Sequence, residues 1–272
     1  MDLRIESLSF SYPSGVEALH GVSFSIRSGE SLALIGQNGA GKTTLVKHLN
    51  GLLRPTSGEV WVGDWETRQH TVAELSSRVG YVFQNPDDQL FQSKVLAEVM
   101  FGPQNLKWPA DRIDQMSHTA LEMVRLAEAA ERHPYDLSPG ERKRVALAAV
   151  LAMDTPVVVL DEPTTGQDYA GVHLIGEIVE WLKGQGKTVL TITHDIDFCA
   201  EHFERVIAMA GGQVLLDGPA RTVLAQTETL AASDVEPPQI TRLAAGLGMA
   251  SFPLTVDEFV SALVQEAGAE RE

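Results

Sequence analysis

Short apolar runs along the chain predict buried strands separated by turns. Leu3, Ile5, Leu8 and Phe10 mark an opening strand, and Phe24 with Ile26 indicates a second one. The segments 31–35 and 157–160 are almost wholly apolar, which is typical of central parallel strands that are buried on both faces. Further strands are predicted at 58–62, 78–83, 188–192, 206–209 and 214–216, and a helix is predicted from Gly41 to about Asn50.

The apolar positions change to a helical period between about residues 93 and 152. A helix is predicted over 137–153, because Ser138 can cap it, Pro139 suits the first helical position and Glu141 completes a capping box. The alternation of strands and helices predicts an α/β fold with a mainly parallel sheet. We expect an antiparallel β part at the N-terminus and an inserted helical subdomain at about 93–152.

The sequence pattern of the chain changes after residue 225. The sequence Glu236-Pro237-Pro238 predicts a linker into a small C-terminal helical appendage. A length of 272 residues fits one large domain with a small addition. We therefore expect a principal domain over 1–225 and an appendage over 226–272.

Charge and composition narrow the classes of partner. The 37 acidic and 21 basic residues give a net charge of −16, which repels nucleic acid and anionic lipid. With Cys199 as the one cysteine, no intrachain disulfide can form, which fits a reducing cytosol. The longest apolar run, 145–153, is too short to span a bilayer, and no signal peptide is evident. Any membrane contact is therefore expected to run through another protein.

Residues 36–43 read Gly-Gln-Asn-Gly-Ala-Gly-Lys-Thr, between an apolar strand and a predicted helix. This pattern, G-x-x-x-x-G-K-[ST], is typical of a phosphate-binding loop, in which glycines let backbone amides approach phosphates. Lys42 is placed to reach the β- and γ-phosphates, Thr43 to bind Mg²⁺ and Thr44 to add a phosphate contact. The other candidate phosphate-binding residues are Gly36, Asn38, Gly39 and Gly41. The alternative is a glycine-rich turn that matches by chance.

Two carboxylates follow the apolar strand at 157–160. Asp161 is expected at the carboxyl end of the sheet beside the phosphate-binding loop, where it can hold Mg²⁺. Glu162 comes directly after it and can polarise an attacking water. The alternative is an ordinary acidic turn, which the phosphate-binding loop upstream disfavours.

With these two motifs the chain resembles the ATP-binding cassette (ABC) ATPases. Residues 137–141, Leu-Ser-Pro-Gly-Glu, are similar to the family's LSGGQ signature, in which the Ser and the Gly contact ATP held by the opposite subunit. The resemblance assigns these roles to Ser138 and Gly140. Pro139 and Glu141 depart from the pattern, and Pro139 has no amide to offer a phosphate. A capping box alone is the other interpretation of this segment.

The resemblance also assigns roles to residues that are less distinctive by themselves. Gln84 matches the Q-loop glutamine, which helps to position Mg²⁺ and water, and His194 matches the switch histidine that contacts the γ-phosphate. Tyr12 matches the aromatic residue that stacks on adenine, although an exposed loop aromatic is the alternative. Residues 164–168 match the D-loop, with Gln167 standing where Leu is common. The motifs cover about residues 1–225.

A more specific resemblance concerns the segment 84–91, Gln-Asn-Pro-Asp-Asp-Gln-Leu-Phe, together with 236–243. Both are similar to the ATPases of energy-coupling factor (ECF) transporters, which import vitamins or transition-metal ions. The resemblance implies a homodimer, or equally a heterodimer with a paralogue, at the cytoplasmic face of the membrane. Its partners would be a transmembrane coupling protein and a substrate-binding membrane subunit, with the segment after Gln84 forming the groove for the coupling protein. For residues 89–91, packing into the core at a helix start is the alternative.

Other classes remain as alternatives. A different ABC importer or an exporter would share most of the motifs. A soluble ABC protein of translation usually carries two cassettes, and one of DNA repair needs long coiled coils that the interval from Gln84 to Leu137 cannot hold. A regulatory ATP binder without hydrolysis is disfavoured by the presence of Glu162 and His194.

Overall fold

The computed structural model describes residues 1–231, 233–249 and 251–269. Its strands are β1 (Leu3–Ser11), β2 (Glu17–Ile26), β3 (Ser31–Ile35), β4 (Ser57–Val62), β5 (Trp65–Glu66), β6 (Val79–Val82), β7 (Val157–Asp161), β8 (Thr188–Ile192), β9 (Arg205–Ala210) and β10 (Gln213–Pro219). Its α-helices are α1 (Lys42–Val46), α2 (Val72–Leu75), α3 (Val95–Asn105), α4 (Ala110–Met123), α5 (Pro139–Leu151), α6 (Tyr169–Gly184), α7 (Ile196–His202), α8 (Ala220–Leu224), α9 (Thr227–Ala231), α10 (Gln239–Gly246) and α11 (Val256–Ala269). Across these residues we find no helix with the length and apolar character that crossing a bilayer requires.

The strands form two sheets. An antiparallel sheet has the order β2-β1-β4-β5, and a second sheet has the order β10-β9-β3-β8-β7-β6. In the second sheet the pairs from β9 to β6 are parallel, and β10 pairs antiparallel with β9. Gly211 and Gly212 join β9 to β10 with φ angles of 52° and 75°, as a tight hairpin turn requires. The predicted α/β fold, with its mainly parallel sheet and antiparallel N-terminal part, is confirmed.

The central strands separate two hydrophobic cores, because successive side chains of a strand point to opposite faces of the sheet. Val157 and Val159 of β7 enter the core that lies against the antiparallel sheet and α1. Val158 and Leu160 enter the core on the other face, among α3 to α8. Since both faces of β7 are covered, all five of its residues are buried. This burial explains why the strand is continuously apolar up to the carboxylate that ends it.

The helix after the phosphate-binding loop is shorter than the predicted Gly41–Asn50 span, since α1 ends at Val46. The backbone N–H of His48 donates to the carbonyl oxygen of Leu45, three residues back, at 3.1 Å. The carbonyl of Thr44, which an α-helix would have used, is instead bonded to the imidazole Nδ1 of His48 at 2.8 Å. The chain therefore continues past α1 in turns whose hydrogen bonds join residues three apart.

Three helices, α3, α4 and α5, lie between β6 and β7 in the chain and pack on one another, where the helical subdomain was predicted. The segment after residue 225 contains α9, α10 and α11. It contacts the rest of the chain where the backbone N–H of Gln239 donates to Asp197 Oδ1 of α7 at 2.9 Å. The division at residue 225 stays a prediction.

Candidate functional site

The predicted site residues follow the carboxyl ends of neighbouring parallel strands. Gly36 follows β3, Gln84 lies two residues beyond β6, Asp161 ends β7 and His194 lies two residues beyond β8. The strand register pairs Leu34 and Asp161 with the same residue of β8, Ile192, so these ends lie at one edge of the sheet. Ligands of open α/β sheets bind at this edge.

The phosphate-binding loop, Gly36 to Thr43, requires glycine for steric reasons at two positions. Gly36 has a φ of 139°, and a Cβ placed on it would lie 2.1 Å from the carbonyl oxygen of Met209. Gly41 has a φ of 96°, and its Cβ would lie 2.7 Å from the carbonyl oxygen of Ala18. A side chain would therefore push the loop away from both β9 and β2. These contacts give a structural reason for two of the glycines in the motif.

Lys42 is buried, and its side chain folds back onto the phosphate-binding loop. Its Nζ donates to the carbonyl oxygens of Gly36 at 2.5 Å and Gln37 at 2.9 Å. Burial lowers the pKa of Lys42, and the negative charges of Glu162 and Asp161 oppose that shift. The ammonium group is thus held inside the loop, with two carboxylates close enough to influence it.

Asp161 links the loop to two strands of the sheet. Thr43 Oγ1 donates to Asp161 Oδ1 at 3.3 Å, and the hydroxyl of Tyr81 donates to Asp161 Oδ2 at 2.7 Å. Burial raises the pKa of Tyr81, with the charge of Asp161 adding to the shift, so the phenol stays a neutral donor. Sequence reasoning missed Tyr81. The available signal was a tyrosine inside an apolar strand, whose buried hydroxyl needs a partner.

Glu162 and His194 form a close pair at the end of the sheet. His194 Nδ1 lies 2.6 Å from Glu162 Oε2, and Thr165 Oγ1 donates to the same oxygen at 3.3 Å. The Glu162 side chain is 7% exposed, whereas that of His194 is 66% exposed. The structure therefore brings together two of the three residues predicted to be catalytic, with the carboxylate shielded and the imidazole facing solvent.

Two cavities meet at this edge. One of about 340 Å³ is lined by Tyr12, by residues 38–44 of the loop and α1, by Gln84 and by Glu162. Tyr12 is fixed there by a hydrogen bond of 2.9 Å between its hydroxyl and Thr44 Oγ1, and by an edge-on contact with Phe10. A second cavity of about 710 Å³ shares Asn38, Gln84 and Glu162 and extends past His194 to residues 234–239 and Arg242. Gln84, the third predicted catalytic residue, thus faces both cavities.

Ser138 and Gly140 lie apart from this group. Ser138 caps α5: its Oγ accepts from the Glu141 backbone, while the Glu141 carboxylate accepts from Ser138 N at 2.8 Å and Ser138 Oγ at 2.7 Å. These hydrogen bonds lower the pKa of Glu141. Among the residues that the structure describes, neither Ser138 nor Gly140 lines the two cavities. The capping box exists, and within one chain this segment does not complete the site.

The fold and this edge of the sheet define the class of protein as an ATP-binding cassette ATPase. The family model for ABC transporters matches residues 19–165, and the chain belongs to this family. It is 44% identical, over 96% of its length, to a protein of Methanosarcina mazei assigned as an ABC transporter ATP-binding protein. The chain spans about half of that relative, 45% of its length. It is also 39% identical to the energy-coupling factor transporter ATP-binding protein EcfA of Methanothermobacter thermautotrophicus, covering 98% of this chain and 88% of that protein.

Solved structures give the same class. The structure of cbiO1 from Clostridium perfringens, part of the ABC transporter complex cbiONQ, is 34% identical with a TM-score of 0.75, covering 91% of this chain and 98% of that chain. The ATP-binding cassette MJ0796, solved as a dimer in a post-hydrolysis state with ADP and phosphate, is 28% identical with a TM-score of 0.74 and covers 80% of this chain and 99% of that chain.

Proposed function

We propose that the chain binds and hydrolyses ATP as a subunit of an energy-coupling factor importer. The observation that carries the proposal is the shielded Glu162 carboxylate, which lines the same cavity as Lys42 and Thr43 of the phosphate-binding loop. In this proposal Lys42 and the loop amides bind the phosphates, and Tyr12 stacks on the adenine. Glu162 polarises the attacking water, assisted by Gln84, and His194 contacts the γ-phosphate.

The donor set fits Mg²⁺. Thr43 and Asp161 offer two oxygen ligands whose atoms lie 3.3 Å apart, and Gln84 lines the same cavity as Thr43. Mg²⁺ bound there would supply positive charge that neutralises phosphate oxygens. The side chains of Thr43, Asp161 and Gln84 would provide the ligands, beside the end of β7.

We propose that the working unit is a dimer. Ser138 and Gly140 lie outside the cavities of their own chain, as expected for residues that serve the nucleotide of a second copy. The dimeric, ADP-bound structure of the related cassette supports this arrangement. ATP would stabilise the closed dimer and hydrolysis would reopen it. A homodimer and a heterodimer with a paralogue both satisfy the geometry.

The segment 84–91 supports a membrane partner. Leu90 is buried at 3% exposure, whereas Phe91 is 61% exposed and contacts the exposed Phe101 of α3 edge-on at 4.7 Å. Gln89 joins this segment to the end of β6 and to α5. Its side chain accepts from the Phe83 backbone N–H at 3.1 Å and donates to the carbonyl oxygen of Ala146 at 2.8 Å. An exposed aromatic pair formed by Phe91 and by Phe101 of α3 suits the helices of a coupling protein. The alternative interpretation, packing into the core, therefore holds for Leu90 and not for Phe91.

The relatives named EcfA and the cbiO1 neighbour support the energy-coupling factor subgroup. We propose vitamins or transition-metal ions as the cargo, as the resemblance of segments 84–91 and 236–243 implies. We propose that the chain sits at the cytoplasmic face of the membrane, where it is held by a coupling protein that joins a substrate-binding subunit. Purification from membranes in mild detergent tests this. Co-purification of two unlike membrane subunits would support the proposal, whereas one symmetric transmembrane partner would indicate another type of ABC transporter.

The variant Glu162→Gln tests hydrolysis. Loss of the carboxylate should lower turnover by about 10²–10⁴-fold, because general-base assistance is typically of this size. ATP binding should persist, and the variant should accumulate as an ATP-bound dimer in light scattering. The control is Glu177→Gln, which removes an exposed carboxylate paired with Arg125 on the surface. Phosphate release from Glu162→Gln at the wild-type rate would remove Glu162 from its proposed role.

A further inference from the structure

Lys143 is a buried cation with no role in the site described above. It lies on α5 and is only 5% exposed. Its Nζ donates to the carbonyl oxygen of Glu162 and, at 3.2 Å, to that of Thr165. Burial lowers the pKa of Lys143, and the charges of Glu162 and Asp161 oppose that shift. Burying an ammonium group costs free energy unless its hydrogen bonds are made. Here the two acceptors are backbone carbonyl oxygens, and one of them belongs to Glu162, the proposed general base.

The turn that Lys143 holds is conformationally unusual. Glu162 has a φ of 52°, in the left-handed region that residues with a side chain seldom adopt. The backbone N–H of Glu162 donates to Ile192 at 2.9 Å, and its carbonyl oxygen accepts from Thr165 N at 3.3 Å as well as from Lys143. The φ of Glu162 sets the direction of its side chain toward His194. The groups that stabilise this backbone conformation therefore aim the carboxylate.

A further hydrogen bond joins the start of α5 to the segment 162–167. Gln167 Nε2 donates to the carbonyl oxygen of Gly140 at 3.0 Å, and the Gln167 backbone N–H donates to Thr164 at 3.1 Å. The start of α5 is thus joined to residues 162–167 at both of their ends. Lys143 makes the one of these links that touches Glu162 itself.

We propose that Lys143 is a positioning residue for the Glu162 carboxylate in ATP hydrolysis. This inference rests on the proposed function, because it assigns Lys143 to the same reaction. The ammonium group acts through the backbone: by binding the carbonyl oxygens of Glu162 and Thr165, it keeps Glu162 in the left-handed conformation that directs its side chain at the cavity. Lys143 does not line either cavity among the described residues, so its loss should spare nucleotide binding.

The chain contains a matched control. Lys187 Nζ donates to the carbonyl oxygen of Asp154 at 3.0 Å, and Asp154 is likewise left-handed, with a φ of 51°. Lys187 also bonds the Asp154 carboxylate at 2.6 Å. Asp154 follows α5 and precedes β7, at the other end of the strand from Glu162. Both lysines stabilise a strained turn, and one of the two turns carries a proposed reacting group.

The test compares Lys143→Met with Lys187→Met in the full chain, by steady-state ATP hydrolysis and thermal unfolding. Methionine keeps the length of the side chain and removes the charge and the donors. Lys143→Met should lower kcat by about 10²-fold with KM for ATP nearly unchanged, because a small misplacement of a reacting group costs about that much. Lys187→Met should lower the unfolding temperature without changing kcat of the folded protein. Lys143→Arg, which keeps charge and donors, should recover part of the lost kcat.

The outcomes separate the two proposals. A wild-type chain that releases no phosphate, even with its membrane subunits, contradicts the proposed function. A wild-type chain that hydrolyses ATP, with Lys143→Met no slower than Lys187→Met, overturns the positioning role alone. A rise in KM with unchanged kcat would also overturn it. Should Lys143→Met not fold, Lys143→Gln is the second variant, because its amide is uncharged and its nitrogen is one atom closer to the backbone than lysine Nζ. Its kcat should fall with KM nearly unchanged, and wild-type kcat in that variant would contradict the need for the ammonium group.

Discussion

The phosphate-binding loop and the signature segment (Leu137 to Glu141) both lead into a helix, but they satisfy the start of that helix differently. Among the described residues, no side chain caps α1, which begins after Gly41. The start of α5 is closed by the reciprocal bonds of Ser138 and Glu141. The first backbone amides of a helix need partners, which a cap or a ligand can supply. The loop is therefore built to receive an anion, whereas at the start of α5 the amides of Ser138 and Glu141 already have partners within the chain.

This difference predicts different consequences of mutation. At Lys42 and Thr43 of the loop, a substitution should change ATP affinity more than stability, because these side chains are proposed to contact the phosphates and Mg²⁺. In the signature segment, a substitution should change stability even when no nucleotide is present. A second helix, α2, has the same kind of capping box as α5, formed by Thr71 and Glu74. It provides an internal reference for what a cap contributes by itself.

The largest effect in this comparison is expected for Lys42→Ala. Hydrogen bonds to charged groups contribute about 1.5–3 kcal/mol each, so the dissociation constant for ATP should rise by about one to two orders of magnitude. Stability should change less than ATP affinity, because the cost of burying the Lys42 charge offsets part of what its two hydrogen bonds to the loop contribute. Calorimetry of ATP binding measures the effect, with Lys47→Ala, just beyond the end of α1, as the control. Equal affinities for the two variants would contradict the assignment of the phosphate-binding loop.

A smaller, double effect is expected for Ser138→Ala. Loss of the cap should cost about 0.5–2 kcal/mol of stability, and Thr71→Ala should cost a similar amount at α2. In addition, Ser138→Ala should lower ATP turnover by about tenfold, because it removes a hydroxyl proposed to contact the phosphate of a second subunit. Thr71→Ala should leave turnover unchanged. Urea unfolding and phosphate release measure the two parts.

This pair of variants separates the two interpretations of the signature segment. If Ser138→Ala and Thr71→Ala lose the same stability and both keep wild-type turnover, the segment is a capping box and nothing more. If turnover falls for Ser138→Ala alone, the hydroxyl acts beyond its own helix. That result would support the dimer proposal, because Ser138 lines neither cavity of its own chain.

The phosphate-binding loop and the sheet were predictable from sequence because their signals are local. An apolar run such as 157–160 followed by Asp161 indicates both the strand and the side chain at its end. The role of Ser138 is ambiguous from sequence, because the same residues, 137–141, are typical both of a helix cap and of a phosphate-contacting signature. Lys143 stands between Arg142 and Arg144, and its spacing of three and four residues from the apolar Ala146 and Leu147 was the hint that it points inward. Its acceptors, on residues 162 and 165, become neighbours only in the folded chain.

The smallest effect is expected for Tyr12→Phe, which removes a hydrogen bond between Tyr12 and α1. The Tyr12 hydroxyl bonds Thr44 Oγ1 at 2.9 Å, so Tyr12→Phe removes one hydrogen bond and should cost about 0.5–1.5 kcal/mol of stability. ATP affinity should stay near the wild-type value, because the ring that is proposed to stack on adenine remains. Tyr12→Leu should weaken ATP binding by a further 1–3 kcal/mol, roughly the value of base–aromatic stacking. Calorimetry of both variants decides the role of Tyr12, and equal loss of affinity for Phe and Leu would show that the hydroxyl, rather than the ring, supports ATP binding.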